Sequence, residues 1–289
     1  MNRTESHIVP EIPVALRIQE YGVGVFSAAP TKSALKKAIK KNYVRVNGEI
    51  AQTGTWIRGG ETITIALPEH PAPDTRLVLP LEVLFEDEYL AAIHKPPGIA
   101  VSGNRFKTIA QALSQNMEPS SHTDATRPQP VHRLDYPTTG ILLAGKTRSS
   151  IRLLNKMFAE KAVKKIYYAV TIGKMTGRGT IGSNIEEKHS RSDFEVVSSV
   201  TSERFGTLNL VRLMPQTGRR HQLRKHLFSI DHPILGDRDY WQKGLILKGK
   251  GLYLHAYSLE FEHPFTGRPI FLKDELPSKF RKIFPDTSF

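Results

Sequence analysis

The chain of 289 residues contains no cysteine. A disulfide framework, a thiolate nucleophile and a cysteine-ligated zinc site are therefore excluded. The absence also fits a reducing compartment, and we expect the protein in the cytosol. Histidines and carboxylates do not follow a spacing typical of metal ligands either, so the sequence predicts neither a metal nor another cofactor.

Long apolar runs are missing as well. No stretch of about 18 apolar residues exists, so we expect no membrane-spanning helix. The first twenty residues carry three glutamates and lack an apolar core segment, which argues against a secretory signal or a transit peptide. An amphipathic helix with bulky apolar anchors is also not found, and a membrane partner is not predicted.

Positive charge is what the chain has in excess. It contains 41 Lys and Arg against 28 Asp and Glu, a formal net charge of +13. Such an excess predicts a polyanionic partner, and nucleic acid is favoured over an anionic membrane. A hydrophobic content of 39% is enough for a sizeable core. The length fits one large domain plus a small one, and we expect a monomer.

The first part of the chain contains a basic helix. Thr31 or Ser33 can cap a helix that continues through Lys41. Apolar residues give this helix a single stripe, and the rest of its surface carries four lysines, Lys36, Lys37, Lys40 and Lys41. Like charges at this spacing repel one another, so a helix that keeps them is suited to phosphates. The alternative is a merely solvated basic face.

Turn and strand signals complete this unit. Asn47-Gly48 supplies positive φ at both positions of a type I′ hairpin turn, and Gly59-Gly60 precedes an alternating strand. The basic helix, "VRVNGE" and "GGETITI" resemble the RNA-binding module first recognised in ribosomal protein S-four. This resemblance predicts an RNA-binding module over residues 1–70, with residues 1–11 an untied terminus. The proline-rich residues 71–80 are expected to be a linker.

Strands dominate residues 81–289, with helices between them and no repeated βαβ rhythm. This pattern favours an α+β fold with a mixed, mainly antiparallel sheet and flanking helices. Residues 116–130 are polar and contain three prolines, and residues 173–193 hold Gly, Ser and charges. Both segments are expected to be loops.

One carboxylate stands out in the segment His132–Gly140, just before the apolar run 141–144. Asp135 precedes Tyr-Pro, so an ordinary turn starter is the simpler interpretation. A carboxylate nucleophile is nevertheless already ionised at neutral pH and needs no activating base. Arg133, two residues earlier, could pair with another group or with a phosphate.

Two further segments carry candidate side chains. Residues 217–227 predict a helix with Leu223 facing the core and with Arg220 and Arg224 on another face, where they would grip an anion or simply be solvated. Its two histidines are five residues apart and do not form a zinc pair. Tyr167 and Tyr168 lie in a β-rich run, so one can pack in the core while the other stacks on a base.

The segment "HRLDYPTTG" resembles the HRLDxxTSG signature of the RluA-type pseudouridine synthases. Four other segments match in order, namely "LEVLFEDEYLAAIHKPPGIAV", "KKIYYAVTIG", "LMPQTGRRHQLRKHLFSIDHPILGDRDY" and "LYLHAYSLEFEHPFTG". Together they cover about residues 81–277. The resemblance implies an RNA pseudouridine synthase, an isomerase that converts uridine to pseudouridine after flipping the base out of the RNA.

The resemblance also assigns roles. Asp135 would be the essential aspartate, Arg133 the arginine that displaces the target base, and Tyr167 the tyrosine that stacks on the flipped uracil. Arg224 would hold Asp135 ionised, and Leu223 would form an apolar wall. The residues expected to contact substrate or RNA are the four lysines above, His132, Thr139, Arg219, Arg220 and Leu223.

Departures from the family pattern are small. Thr139 replaces the usual Ser, Arg220 a common Thr, and His94 a frequent Asn, so the substrate preference is less defined than the chemistry. Ribosomal RNA is favoured over transfer RNA because of the N-terminal module. The alternative is an RNA-binding or ribosome-assembly factor that has lost catalysis.

Overall fold

The structure, a computed structural model, describes residues 3–67, 77–103, 107–245, 247 and 249–287. Contacts divide the chain into two compact units, Met1–Arg76 and Leu77–Phe289. Residues 71–76 of the expected linker lie outside the described residues, whereas Leu77 and Leu79 are hydrogen-bonded to the side chains of Gln115 and Asn116 in the second unit. In the described part of the chain no helix is long and apolar enough to cross a membrane.

The first unit combines a small sheet with two helices. Its elements are β1 (Arg3–Ile8), β2 (Leu16–Arg17), α1 (Ile18–Tyr21), α2 (Lys32–Lys40), β3 (Val44–Val46), β4 (Glu49–Ile50), β5 (Trp56–Ile57) and β6 (Thr62–Leu67). Four strands form an antiparallel sheet in the order β1-β6-β3-β4, and β2 pairs with β5. Helix α2 packs its apolar stripe, which includes Leu35 and Ile39, into the core of this unit.

Local signals in this unit match the structure. The hydroxyl of Thr31 accepts a hydrogen bond from the amide of Ala34, so Thr31 caps α2. Asn47 and Gly48 have φ values of 50° and 85°, as the hairpin turn between β3 and β4 requires. The predicted helix, hairpin and closing strand are confirmed.

The prediction of an untied terminus is wrong. Strand β1 pairs with β6 along its whole length, and Val9 behind it is 1% exposed. Its residues are mostly polar because an edge strand has one solvated face, so no apolar alternation revealed it. Side chains also fix it, since His7 is hydrogen-bonded to the hydroxyl of Tyr21.

The second unit is built around one large sheet. Its strands are β7 (Val83–Glu86), β8 (Leu90–Lys95), β9 (Ala125–Pro130), β10 (Thr139–Thr147), β11 (Lys164–Ile172), β12 (Arg178–Ile185), β13 (Lys188–Ser202), β14 (Gly206–Pro215), β15 (Leu254–Glu262) and β16 (Pro269–Lys273). The helices are α3 (Ile109–Ala112), continued by the 3₁₀ turn Leu113–Gln115, α4 (Arg148–Ala159), α5 (Gln222–Ser229) and α6 (Ser278–Arg281).

This sheet runs β12-β13-β14-β11-β15-β10-β8-β7, with β16 on β15 and β9 on β10. Neighbouring strands are antiparallel except β10 and β15, which are parallel. The prediction of a mixed, mainly antiparallel α+β fold is confirmed. All nine residues of β10 are buried, because sheet neighbours and helix α4 enclose it.

Both expected loops contain strands. Residues 173–193 hold most of the hairpin β12–β13, and residues 116–130 end in β9. The hairpin was missed because β12 is a polar strand at the sheet edge, and because Glu186 and Glu187, not glycines, adopt the positive φ values of its turn. Strand β9 contains Pro128 and Pro130, which an edge strand tolerates because it need not donate on both sides.

Gly140 fixes where β10 begins, directly after the segment that carries Asp135. Its φ is 114°, and a Cβ at this position would overlap the backbone of Ala256 in β15. Only glycine allows the two parallel strands to approach this closely. The start of β10, and with it the preceding turn, is therefore held at one position relative to β15.

Candidate active site

Asp135 opens a tight turn that leads into β10. The amide of Thr138 donates to the carbonyl of Asp135 at 3.0 Å, and the amide of Gly98 donates to the carbonyl of Tyr136 at 2.9 Å. Leu134 is buried on the other side of Asp135 and anchors the turn in the core. The Asp135 side chain is 14% exposed, so it is accessible only from a cleft.

Lys95 holds this turn through hydrogen bonds to its carbonyl groups. The sequence did not predict this role. The side chain is fully buried at the end of β8, and its ammonium donates to the carbonyls of Pro96, Tyr136 and Thr138 at 2.9, 3.3 and 2.8 Å. Burial lowers the pKa of Lys95 to about 8, against the attraction of the Asp135 carboxylate. The ammonium thus fixes both halves of the turn.

We predict that Lys95→Met lowers the free energy of unfolding of the second unit. The difference in this free energy between wild type and variant should depend on pH. An unfolded lysine titrates near 10.5 and the folded one near 8. The unfolded state therefore binds more protons between these values, and the contribution of Lys95 to stability rises from pH 8 to 10.5. Denaturant titrations should show that the difference in free energy of unfolding between wild type and variant increases by about 3 kcal/mol over this range. A constant difference would contradict the buried position of the ammonium.

Two cavities meet at Asp135. The first has a volume of about 420 Å³ and is lined by residues from α4, β11, β14, α5 and β15 together with the Asp135 turn. The second has a volume of about 910 Å³ and extends over the Asp237–Asp239 segment. Asp135, Arg133 and His221 line both cavities. Both volumes are within the range of sites that enclose small organic groups.

The first cavity has one aromatic and one apolar wall. Tyr167 and Leu223 line it, whereas Tyr168 packs edge-on against Tyr257 at 4.9 Å and lines neither cavity. Burial, together with the charge of Asp135, raises the pKa of Tyr167, so the phenol stays neutral. Tyr167, Leu223 and Asp135 thus line the same cavity.

Arg224 is the most strongly held charge of the site. Its guanidinium donates to both oxygens of Asp237 at 2.7 and 2.6 Å and to Asp239 at 2.7 Å, and its Nη1 lies 3.7 Å from Oδ2 of Asp135. Burial would lower its pKa, but Asp237 and Asp239 outweigh this and raise it. Arg224 is 2% exposed and is thus a fixed positive charge beside Asp135.

Asp237 and Asp239 were not predicted. They lie in the segment between α5 and β15, where charged residues in a polar stretch look like solvated loop residues. Asp237 is 2% exposed, and it also accepts hydrogen bonds from the amides of Asp239 and Tyr240. This carboxylate positions Arg224 and orders the segment at the same time.

Two expected RNA contacts are placed differently. Thr139 is 4% exposed, lines neither cavity, and its hydroxyl is hydrogen-bonded to Nδ1 of His255 at 2.8 Å. Thr139 therefore contacts His255 in the core and is not part of either cavity wall. His132 lines the first cavity, but its Nε2 accepts from the amide of Leu143, and burial lowers its pKa to about 3. It is a neutral wall residue that cannot offer positive charge.

The expected arginines surround the cavities. Arg219 lines the first, Arg220 the second and Arg133 both, and all three are exposed. Arg133 and Arg220 have no ion pair within the described residues. Arg220 does not belong to the helix as expected, because α5 begins only at Gln222. The lysines of α2 belong to the first unit.

Comparisons with known proteins agree with this fold and cleft. Residues 89–229 match the family model described as RNA pseudouridylate synthase. The chain is 31% identical to ribosomal large subunit pseudouridine synthase C of Pasteurella multocida, over 95% of this chain and 91% of that protein. It is 32% identical to ribosomal large subunit pseudouridine synthase D of Vibrio cholerae, over 83% and 82%.

A solved structure has the same fold. Human RNA pseudouridylate synthase domain containing 4 aligns with a TM-score of 0.54 and 25% identity, over 69% of this chain and 90% of that one. The fold is thus that of a pseudouridylate synthase domain. The chain belongs to the RNA pseudouridine synthase family, whose members isomerise uridine within RNA, and the sequence prediction is confirmed.

Proposed function

We propose that this protein converts uridine to pseudouridine in large-subunit ribosomal RNA, with Asp135 as the catalytic group. The observation that carries this proposal is the position of the Asp135 carboxylate. It lies where two cavities meet, beside the fixed charge of Arg224, and in the same cavity as Tyr167 and Leu223. Ribosomal RNA is favoured because two relatives are named as pseudouridine synthases of the ribosomal large subunit.

The flipped uracil would occupy the first cavity. Its ring would stack on Tyr167 and contact Leu223, which together replace the stacking that the base loses in the RNA. Arg133, at the entrance of both cavities, would take the place of the displaced base and contact neighbouring phosphates. Arg219 and Arg220 would neutralise further phosphates at the rim.

The isomerisation is balanced without any added reactant. The bond between N1 and C1′ breaks, the uracil rotates inside the cavity, and a bond forms between C5 and C1′. C5 then loses its proton, and N1 gains one. Asp135 can serve this sequence by attacking C1′, by attacking C6, or by removing the 2′ proton of the sugar. All three roles need an ionised carboxylate. The Arg224 guanidinium lies 3.7 Å from Oδ2 of Asp135 and faces this negative charge.

A tritium-release assay tests which RNA is the substrate. A hydrogen at C5 is lost in the reaction, so RNA labelled with tritium at C5 of uridine releases tritium to water. We expect release from a transcript of the large-subunit RNA of the source cells, and little from its transfer RNAs. Release from transfer RNA alone would contradict the ribosomal substrate. Release from neither RNA by the purified protein would contradict the proposed function.

For the first unit we propose an accessory RNA-binding role, as the likeness to the S-four module predicts. The support is the surface of α2, where Lys37, Lys40 and Lys41 are exposed and form no ion pair within the described residues. Lys36 is partly exposed on the same helix, whereas Lys32 is paired with Glu20 at 2.7 Å. Unpaired ammonium groups on one helix are available to phosphates.

We predict that Lys37→Gln/Lys40→Gln weakens RNA binding about three- to tenfold at 0.15 M salt. The slope of log K against log salt should fall by about 1.5, because two phosphate contacts are lost. The matched control is Lys174→Gln/Lys243→Gln, which removes two exposed lysines that line no cavity of the second unit. Equal changes in both double variants would contradict a specific role for α2.

A further inference from the structure

His221 lies between Asp135 and Tyr240, and the roles proposed so far do not include it. It directly precedes helix α5, and it lines both cavities. Its Nε2 is 3.9 Å from Oδ1 of Asp135, and its Nδ1 is 3.0 Å from the hydroxyl of Tyr240. The ring thus lies between a partly buried aromatic hydroxyl and the carboxylate.

The backbone of His221 is in the left-handed region, with φ 55° and ψ 27°. This conformation costs free energy for a residue that is not glycine. A residue before a helix normally caps it through a short polar side chain in extended conformation, and His221 makes no such hydrogen bond. Stability of the helix therefore does not explain a histidine at this position.

Gln222 maintains this conformation. Its side chain is 4% exposed and accepts hydrogen bonds from the hydroxyl of Thr217 and the amide of Arg219, at 2.7 and 3.0 Å. Its amide nitrogen donates to the carbonyl of Arg191 at 3.0 Å. The turn before α5 is thus fixed to β13. His221 stands at the end of this turn, with its Nε2 on the side of Asp135.

The protonation of the ring follows from its neighbours. Burial lowers the pKa of His221, with Arg224 and Arg220 acting in the same direction against Asp135, so the ring is neutral near pH 7 and carries one N–H. Burial raises the pKa of Tyr240, whose phenol keeps its proton. The phenol can donate to Nδ1, which leaves the hydrogen on Nε2. The opposite tautomer would set a lone pair against a carboxylate oxygen.

We propose that His221 is a positioning residue whose Nε2–H holds one oxygen of Asp135 while Arg224 holds the other. Nη1 of Arg224 is 3.7 Å from Oδ2, and Nε2 of His221 is 3.9 Å from Oδ1. Both distances exceed a hydrogen bond, and a small rotation of the carboxylate shortens either one. Such contacts commonly tighten when substrate is bound. The proposal rests on the proposed role of Asp135.

Two donors on opposite oxygens fix the rotation of the carboxylate about its Cβ–Cγ bond. Reaction rates are sensitive to such positioning, since an error of about 1 Å can cost about 100-fold. RNA binding depends instead on phosphate contacts by the arginines and lysines. Loss of the His221 ring should therefore lower the rate at saturating RNA and leave RNA affinity nearly unchanged.

The test uses His221→Gly, which removes the ring and relieves the left-handed backbone. We expect single-turnover tritium release at saturating RNA to fall about 30- to 100-fold. The dissociation constant should stay within about threefold, and the melting temperature should equal or exceed that of the wild type. Glu187→Gly, at φ 62° in the β12–β13 turn, is the matched control. It relieves a similar backbone without touching the site, so its rate should stay within about twofold.

Two more variants distinguish the effect of the N–H donor of His221 from the effect of its tautomer. His221→Asn keeps an N–H donor and tolerates the left-handed backbone, so it should recover part of the rate lost in the glycine variant. Tyr240→Phe should lower the rate about three- to tenfold through the tautomer of His221. Added to His221→Gly it should cause no further loss, because both changes then act on the same interaction.

A His221→Gly rate within threefold of the wild type would overturn the proposal. So would a melting temperature that falls in step with the rate, or a further loss on adding Tyr240→Phe. Wild-type protein in the same assay distinguishes a failure of the His221 proposal from a failure of the proposed function. If the wild type releases no tritium, the proposed function is contradicted. A wild-type rate in His221→Gly contradicts only the role of His221.

Discussion

Asp135→Asn is expected to abolish tritium release, with a single-turnover rate lowered at least about 10³-fold. An amide cannot act as a nucleophile or base at neutral pH, and all three roles open to Asp135 need a charged carboxylate. Oδ2 of Asp135 lies 3.7 Å from Nη1 of Arg224, and Oδ1 lies 3.9 Å from Nε2 of His221, so the variant loses no short ion pair. Its melting temperature should stay close to that of the wild type. RNA affinity should be unchanged or higher, since a negative charge is removed from the cleft.

The matched control for this prediction is Asp239→Asn. Asp239 also contacts Arg224, at 2.7 Å, but its side chain is 60% exposed and it does not line the first cavity. We expect this variant to lower the rate less than about tenfold, since Asp237 still holds the guanidinium. Similar losses in both variants would mean that Asp135 acts only as one member of the charge cluster.

Arg224→Met is expected to lower both the reaction rate and the stability of the second unit. The change leaves the carboxylate of Asp237, whose side chain is 0% exposed, without its charged partner. Removing one partner of a buried ion pair typically costs about 3–5 kcal/mol. For a unit of this size the melting temperature should fall by about 10 °C. Thermal unfolding followed by circular dichroism measures this directly.

The double variant Arg224→Met/Asp237→Asn separates stability from activity. It removes the uncompensated buried charge, so most of the lost melting temperature should return. The rate should not return, because the fixed positive charge beside Asp135 is still missing. A double variant with wild-type activity would contradict the role of Arg224 in the chemistry, and a single variant as stable as the wild type would contradict the buried pair.

Local signals predicted much of the fold. The type I′ turn at Asn47-Gly48, the cap of α2 at Thr31 and the apolar run before Thr147 each follow from neighbouring residues, and each agrees with the structure. The sequence did not predict the polar edge strands. The strand Arg3–Ile8 and the hairpin β12–β13 owe their conformation to backbone pairing with a neighbour, which leaves little trace in their own side chains.

The site was predictable only where a resemblance supplied it. Nothing local in the sequence connects Asp135 with Arg224, which come from distant segments and meet only in the folded unit. Lys95 was not singled out in the sequence, because its three carbonyl partners come together only when the turn is folded over it. The left-handed conformation of His221 had no signal in the sequence, because no glycine or asparagine stands at this position.

The central claim is that this protein forms pseudouridine in cellular RNA through Asp135. The most direct measurement maps pseudouridine in ribosomal RNA from cells that lack the gene and carry either the wild-type chain or Asp135→Asn at equal protein levels. We predict that specific large-subunit sites are lost in the deletion, return with the wild type and stay unmodified with Asp135→Asn. Sites restored by Asp135→Asn, or no site lost on deletion, would contradict this claim.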